Sequence, residues 1–155
     1  MSPAAPDPDD GQASLASLLR KLNLRAGTPA LWLGVPDDVR DLFSPWPAPA
    51  PREEPDGEAG FGLAFAITQQ ELDSRLQALA RHCPGDAVLW IAYPKQTSRR
   101  YRCEFNRDSG WDRAGELGLA PVRMVAIDAD WSALRLRRVQ YIRPPRRDPA
   151  RTERL

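Results

Sequence analysis

Apolar residues recur along the chain with two periods, and the switches between them mark out the elements. Leu15, Leu18, Leu19 and Leu22 fall on one stripe between Ser14 and Leu22, which predicts a helix, because side chains three and four apart share a helical face. Gly27 ends that unit. Ala30 to Val35 (ALWLGV) is a short unbroken apolar run and predicts a buried strand, followed by Pro36 and a helix of one or two turns reaching Phe43. Phe61 to Ile67 predicts a second strand. Its exit carries the sharpest local signal in the chain. Thr68, Gln69, Gln70 and Glu71 have the spacing of a capping box, and Ile67 with Leu72 that of a hydrophobic staple. Leu72, Leu76 and Leu79 then line one face of a helix running to His82, which Pro84-Gly85 stops. Ala87 to Tyr93 (AVLWIAY) is apolar in both alternating sets, as a central strand covered on two faces must be.

Beyond Tyr93 the chain turns polar. Lys95 to Asn106 is a basic connection, and Asn106 or Asp108 stands where it would cap a helix through Trp111 and Ala114 to Leu117, with Gly118 as its stop. Val122 to Asp128 predicts a fourth strand and Asp128 to Trp131 the turn out of it. A fifth strand points Leu134 and Leu136 inward and Arg135 and Arg137 outward. Its inward set then moves to Val139 and Tyr141, a one-residue slip that predicts a β-bulge near Arg137-Arg138. Strand and helix alternate, then two strands share a short turn. That order predicts an α/β fold with a mostly parallel sheet of about five strands, helices on both faces and a C-terminal antiparallel hairpin at one edge. The chain has no internal repeat.

Proline sets the domain limits. Of 16 prolines, three fall in residues 1–13, five in 44–60 and three in 143–155. The same stretches are poor in large apolar residues, so burial there cannot offset the entropy of ordering. A disordered head over 1–13, a single domain over 14–142 with a flexible proline- and acid-rich loop at 44–60, and a disordered arginine-rich tail over 143–155 are therefore expected. About 110 residues remain, enough for one self-sufficient core. Residues 1–13 lack the basic start, apolar stretch and cleavage pattern of a secretory signal, and no run approaches the ~18 apolar residues of a membrane span. A cytoplasmic protein with no membrane association is expected. Cys83 and Cys103 are not a spaced pair, so free, partly buried thiols are expected rather than a disulfide.

Two resemblances follow from these motifs. The stretch from Phe61 to Tyr93, with PGDAVLWIAY in its second half, resembles the later half of a class I methyltransferase Rossmann fold, and a terminal antiparallel hairpin suits that fold. The resemblance implies a glycine-rich turn after the first strand and an acidic residue ending the second. Here Ala30–Val35 leads into Gly34-Val35-Pro36 instead, and no acidic residue takes the ribose position. The resemblance thus implies a degenerate methyltransferase-like enzyme and no bound cofactor. Tyr93-Pro94-Lys95, Asn106-Arg107-Asp108 with Gly110-Trp111, and Asp130-Trp131-Ser132-Ala133-Leu134-Arg135 resemble a family of bacterial proteins of unknown function. That family pairs a Tyr-Pro-Lys motif after a central strand with a Trp-Ser-Ala-Leu-Arg motif on the last strand.

Candidate chemistry is sparse. His82, Cys83 and Cys103 do not make the four loop-spaced ligands of a zinc site, and no metal is expected. Ser132 lies in no strand-to-helix elbow. Cys103 has Arg102 to lower its pKa and Glu104 to offset that. Asp128 and Asp130 share one turn, where aspartates bond their own backbone. The basic connection is the strongest lead. Lys95, Arg99, Arg100, Arg102 and Arg107 leave the C-terminal end of a central strand, where open α/β sheets bind ligands, and a helix starting near Asn106–Asp108 would add backbone donors for an anion. Tyr93, Lys95, Arg107 and Trp131 are the expected ligand-binding residues, with Lys95 and Arg107 at the centre. The expected ligand is a small anion such as a nucleotide or another phosphate-bearing molecule. Trp111 and Trp131 are also expected to support the core.

The net charge of +1 conceals an asymmetry. The head carries Asp7, Asp9 and Asp10, whereas from Arg135 onward eight arginines face only Asp148 and Glu153. Such a tail suits non-specific contact with nucleic acid or an acidic partner, although arginine outnumbers lysine 20 to 2 along the whole chain, a bias that a GC-rich genome also produces. Phosphate contacts release counterions, so nucleic-acid binding by the tail should be blind to sequence and fall steeply with salt. Deleting residues 143–155 should abolish it in a filter-binding or anisotropy assay; affinity that survives deletion and raised salt would assign binding to the folded domain.

Overall fold

In the computed structural model, residues 8–142 are described, with side chains from Leu15 onward. Five strands form one sheet: β1 (Ala30–Leu33), β2 (Phe61–Phe65), β3 (Val88–Pro94), β4 (Leu119–Ala126) and β5 (Trp131–Arg138), in the order β1-β2-β3-β5-β4. β1, β2 and β3 pair in parallel. β5 enters between β3 and β4 and runs antiparallel to both. Two ladders are thus parallel and two antiparallel, so the sheet is mixed where a mostly parallel one was expected. The C-terminal hairpin exists, but it folds inward. The residues of the two strands explain the choice. β5 has apolar side chains on both faces, Trp131 and Ala133 on one and Leu134 and Leu136 on the other. β4 carries Pro121, which cannot donate to an inner ladder, together with exposed Val122 and Arg123.

The expected bulge lies elsewhere. The register shifts within β4, between Pro121 and Arg123, while β5 ends at Arg138 and Val139–Tyr141 forms a 3₁₀ turn. The apolar slip read from the sequence is the end of the strand. β4 also starts at Leu119, three residues before the expected Val122.

Helices cover both faces. α1 (Pro8–Lys21), α2 (Asp37–Arg40) with a following 3₁₀ turn to Phe43, α3 (Gln69–His82) and α4 (Asp112–Glu116) connect the strands. α3 presses Leu72, Leu76 and Leu79 onto a core that includes Leu89, Ile91 and Leu136. On the opposite face Leu22, Val39 and Phe43 meet Phe61, Phe65, Trp90 and Trp131. α1 begins at Pro8, inside the stretch expected to be disordered. Proline is preorganised for a first helical position, and acidic residues such as Asp9 and Asp10 suit the first turn. Residues 1–7 and the arginine-rich tail 143–155 lie outside the described residues.

The 44–60 segment runs beside the free edge of β1. Trp46 lies 5.1 Å from the Trp32 ring and 5.7 Å from Phe61. Arg52 makes a one-residue parallel bridge, its N–H donating to Ala30 O at 2.9 Å and its carbonyl accepting from Trp32 N at 2.7 Å. Arg40 pairs with Glu53.

α3 is set by its ends. The capping box forms: Thr68 Oγ1 accepts from Glu71 N at 3.0 Å, and Glu71 Oε1 accepts from Thr68 N at 3.0 Å and Ile67 N at 2.9 Å. These backbone donors hold the Glu71 carboxyl below its usual range. At the other end Arg138 of β5 donates to the carbonyls of Ala80, Cys83 and Gly85 at 2.8, 2.8 and 2.6 Å. The helix lies so close to β2 that a Cβ on Gly62 would sit 2.4 Å from Leu79 Cδ2 and 3.1 Å from Cys83 Sγ. Leu79 and Cys83 are fully buried and have no room to retreat. Gly62→Ala should therefore destabilise the domain by about 1–3 kcal/mol, as overpacking does, read as a lower denaturation midpoint; an unchanged midpoint would mean that α3 can move outward without cost.

Candidate functional site

β3 ends at Pro94 in the middle of the sheet, and the chain that follows builds the site. Lys95 N donates to Asp130 O at 2.8 Å, tying the exit of β3 to the turn before β5. The polar stretch then folds across this end of the sheet. Ser98 Oγ donates to Asp130 Oδ1 at 2.9 Å and accepts from the N–H groups of Arg100 and Tyr101 at 3.2 Å each. Tyr101 donates its hydroxyl to Asp38 Oδ2 at 2.7 Å, a bond that raises the phenol above its usual pKa. Arg100 reaches Asp38 at 2.9 Å and Asp130 at 4.0 Å. Glu104 N donates to Ile67 O and Glu104 Oε1 accepts from Gln69 N, both at 2.9 Å. The loop is thus pinned to the hairpin turn, to α2 and to the start of α3.

This path leaves two adjoining concavities. One, of about 460 Å³, is lined by Tyr93, Lys95, Asn106, Arg107 and Ser132 among others. The second, of about 530 Å³, is lined by Lys95, Arg99, Arg100, Arg102, Cys103 and Glu104 among others. Lys95, Gln96, Phe105 and Asn106 belong to both walls. Of the acids near the mouth, Asp38 and Asp130 pair with Arg100, Asp108 pairs with Arg107 at 3.7 Å, and Glu104 accepts from Gln69 N. Among the described residues Lys95, Arg99 and Arg102 have no carboxylate partner, so the mouth is electropositive.

Three of the four expected ligand-binding residues meet here. Lys95 and Arg107 line one concavity, with Tyr93 beneath them. Tyr93 is buried, its ring 5.5 Å from Phe105 and 5.8 Å from Trp111. Burial foremost pushes its phenol up to about 12, against a partial opposing pull from Arg107, so Tyr93 acts as a neutral floor. Trp131 does not join them. It pairs with Pro94 across the ladder, one position out of step with Ser132 opposite Tyr93, and strand alternation sends it to the other face. There it is 1% exposed and packs at 4.9 Å against both Phe65 and Tyr101. It supports the loop from beneath, as a core residue.

Nor does Arg107 open a helix. Asn106 Oδ1 accepts from Asp108 N at 2.8 Å, and Gly110, at φ 98°, carries the chain on to Trp111 before α4 starts at Asp112. The short turn wins because asparagine closes it through its own side chain. Backbone donors of α4 therefore play no part beside Arg107. The sequence marks Gln69, Glu104 and Asp130 only as capping, charge-offsetting and turn residues and Asp38 not at all; their part in holding the loop is not legible there. Their partners lie up to 63 residues away, beyond the reach of local pattern.

The other candidates are accounted for structurally. Cys83 is buried and its thiol is pushed up to about 11; Cys103 is half-buried and also raised by burial, and both are free. Neither is activated as a thiolate. His82 Nδ1 meets Gly57 O at 3.1 Å. Asp128 Oδ1 accepts from Asp130 N and Trp131 N at 2.8 Å each, which is turn chemistry. No cluster of three or more His, Cys, Asp or Glu side chains that could hold a metal ion occurs among the described residues, and no described helix is long and apolar enough to cross a membrane.

The turn after β1 is already filled. Gly34 takes φ 66°, and a Cβ there would lie 2.6 Å from an Arg75 guanidinium nitrogen. Arg75 Nε in turn donates to Phe65 O at 3.2 Å. The turn's one glycine makes room for an arginine of the same chain.

No family model matches the chain and no curated protein is similar to it, so the likeness to the bacterial family rests on its motifs alone. Solved structures are similar. A SAM-dependent methyltransferase from Aquifex aeolicus superposes with TM-score 0.55 at 14% identity, covering 87% of this chain and 100% of that one. Magnesium protoporphyrin IX methyltransferase from Synechocystis with bound SAM gives 0.55 at 12% identity, over 84% and 78%. A S-adenosylmethionine-dependent methyltransferase from Clostridium acetobutylicum gives 0.55 at 7%, over 85% and 92%. At such identities the likeness is one of fold. It extends well beyond the Phe61–Tyr93 stretch that first carried the resemblance. Because Arg75 occupies the approach to the β1 turn, calorimetric titration with S-adenosylmethionine should show no binding at micromolar concentration; a micromolar isotherm would overturn the reading of that turn.

Proposed function

We propose that this protein is a binding module on a methyltransferase-like fold, taking a small anionic ligand in the basic mouth beyond β3. The observation that carries the reading is that Lys95 and Arg107 line one concavity past the end of the central strand. In open α/β sheets ligands occupy that end. Lys95 contributes a mobile point charge, and Arg107 a planar fork that grips a phosphate or carboxylate through two parallel hydrogen bonds. Arg99 and Arg102 in the adjoining concavity suit a ligand with more than one anionic group, such as a nucleotide.

A degenerate methyltransferase-like enzyme is the second reading, and the shared fold favours it. Against it stand the proline after the β1 turn, the arginine lodged at Gly34 and two thiols that burial keeps protonated.

Ligand binding to the folded state raises the melting temperature by mass action. Phosphate and nucleoside phosphates should do so in the parent protein beyond the effect of chloride at equal ionic strength. Lys95→Ala with Arg107→Ala should abolish that gain at this mouth, while altering basal stability by only about 0.5 kcal/mol, as surface substitutions do. Amide shifts at Gln96 and Asn106 report the same event locally. A double variant that keeps both the gain and these shifts would refute the site.

A further inference from the structure

The opposite end of the sheet holds a second basic concavity, of about 510 Å³, whose walls include Asn23, Arg25, Thr28, Asp86, Arg135 and Arg137. Its charges do not balance. Asp86 is committed to Arg137 through two hydrogen bonds of 2.8 and 2.6 Å. Among the described residues Arg25 and Arg135 have no carboxylate partner. Arg135 stands in the ladder between Trp90 on β3 and Arg123 on β4. Its Nε is shut off from solvent and has no hydrogen-bond partner. Burial first, then repulsion from Arg137, with a smaller share from Arg123, holds its guanidinium below the usual arginine range; Asp86 offsets only part of this. A partly desolvated cation among cations is an unfavourable arrangement, and a bound anion is what would relieve it.

The site is framed by rigid parts. Asn23 takes φ 61° at the end of α1, where Leu24 N donates to Leu19 O at 3.0 Å. The indole of Trp90 donates to Leu22 O at 2.7 Å, locking that helix end onto the sheet. Gly60 N donates to Pro29 O and Val88 N to Gly60 O, both at 3.0 Å. Arg25 and Arg135 therefore line one cleft whose backbone frame is hydrogen-bonded.

We propose that this cleft is an anion site independent of the Lys95–Arg107 mouth, in which Arg25, Arg135 and Arg137 together take the phosphate or carboxylate group of a small molecule. Asp86 orients the Arg137 fork, leaving its remaining donors for the ligand.

The test is a titration of the ¹⁵N-labelled full chain with inorganic phosphate, against sodium chloride of equal ionic strength. Saturable shifts are expected at the amides of Asn23, Thr28, Gly60 and Val88. They should persist in the Lys95→Ala, Arg107→Ala double variant, which separates this site from the proposed mouth. Arg135→Met keeps the apolar stem and removes the charge. It should abolish the shifts, and in phosphate-free buffer it should unfold at a higher denaturant concentration than the parent, because it removes an unpaired cation. Should that variant not fold, Arg25→Ala serves, since Arg25 is exposed; phosphate affinity should fall about tenfold on losing one charge-assisted bond. Absence of saturable shifts at these four amides would overturn the proposal, as would shifts left unchanged by Arg135→Met or, where that variant does not fold, by Arg25→Ala.

Discussion

β3 is the strand on which everything else is arranged. It is paired along both edges, to β2 in parallel and to β5 in antiparallel. Its side chains alternate between the two cores, Leu89, Ile91 and Tyr93 on one face and Trp90 and Ala92 on the other. A strand so enclosed must be apolar throughout and covered on both sides. That requirement brings α3 to one face and α1 with α2 to the other. It also draws β5 inside, because an edge such as β4, with its proline and its bulge, could not close the ladder.

The same enclosure makes the two ends of β3 the natural places for chemistry. At its C-terminal end the chain leaves an apolar strand and meets water at once, and Lys95 to Asn106 must find partners for its polar backbone there. Its backbone finds them in the carbonyls of Asp130 and Ile67, while the Tyr101 hydroxyl donates to Asp38 and the Glu104 carboxylate accepts from Gln69 N. The acids that hold the loop are spent on Arg100, Tyr101 and backbone donors, so the remaining cations stay unbalanced. At the N-terminal end the same arithmetic recurs: Asp86 goes to Arg137, and Arg135 is left in a half-buried position among cations. Both proposed anion sites come from a structure whose carboxylates are used as fasteners.

The methyltransferase-like fold gains a different character from these details. The likeness to the solved methyltransferases is one of fold. Here the turn after β1 carries a single glycine, and Arg75 stands against it while donating to the end of β2. Beyond the free edge of β1, the acid-rich segment supplies one bridging residue, Arg52, in place of a further strand. The fold is shared, and in this chain a side chain takes up the approach to its first turn.

Much of this was legible from local pattern alone. The capping box at Thr68 and Glu71, the stripe of α3 and the two-faced run of β3 each follow from short-range stereochemistry, and the folded chain forms all three. The meeting of Lys95 with Arg107 was also readable, because a short polar connection returns its ends to one place. What the sequence could not decide was which strand lies beside which. Inward insertion of β5 depends on comparing two strands' fitness for burial, and the pairing of Asp38 with Tyr101 or of Arg138 with the end of α3 depends on that order. Trp131 shows the limit most plainly: it is expected both at the mouth and in the core, and the cross-strand register sets it one position away from Ser132, on the other face. Periodicity determines which face a residue shares with its neighbours along the chain. Only the assembled sheet determines what that face meets, because the partners come from distant segments brought together by burial.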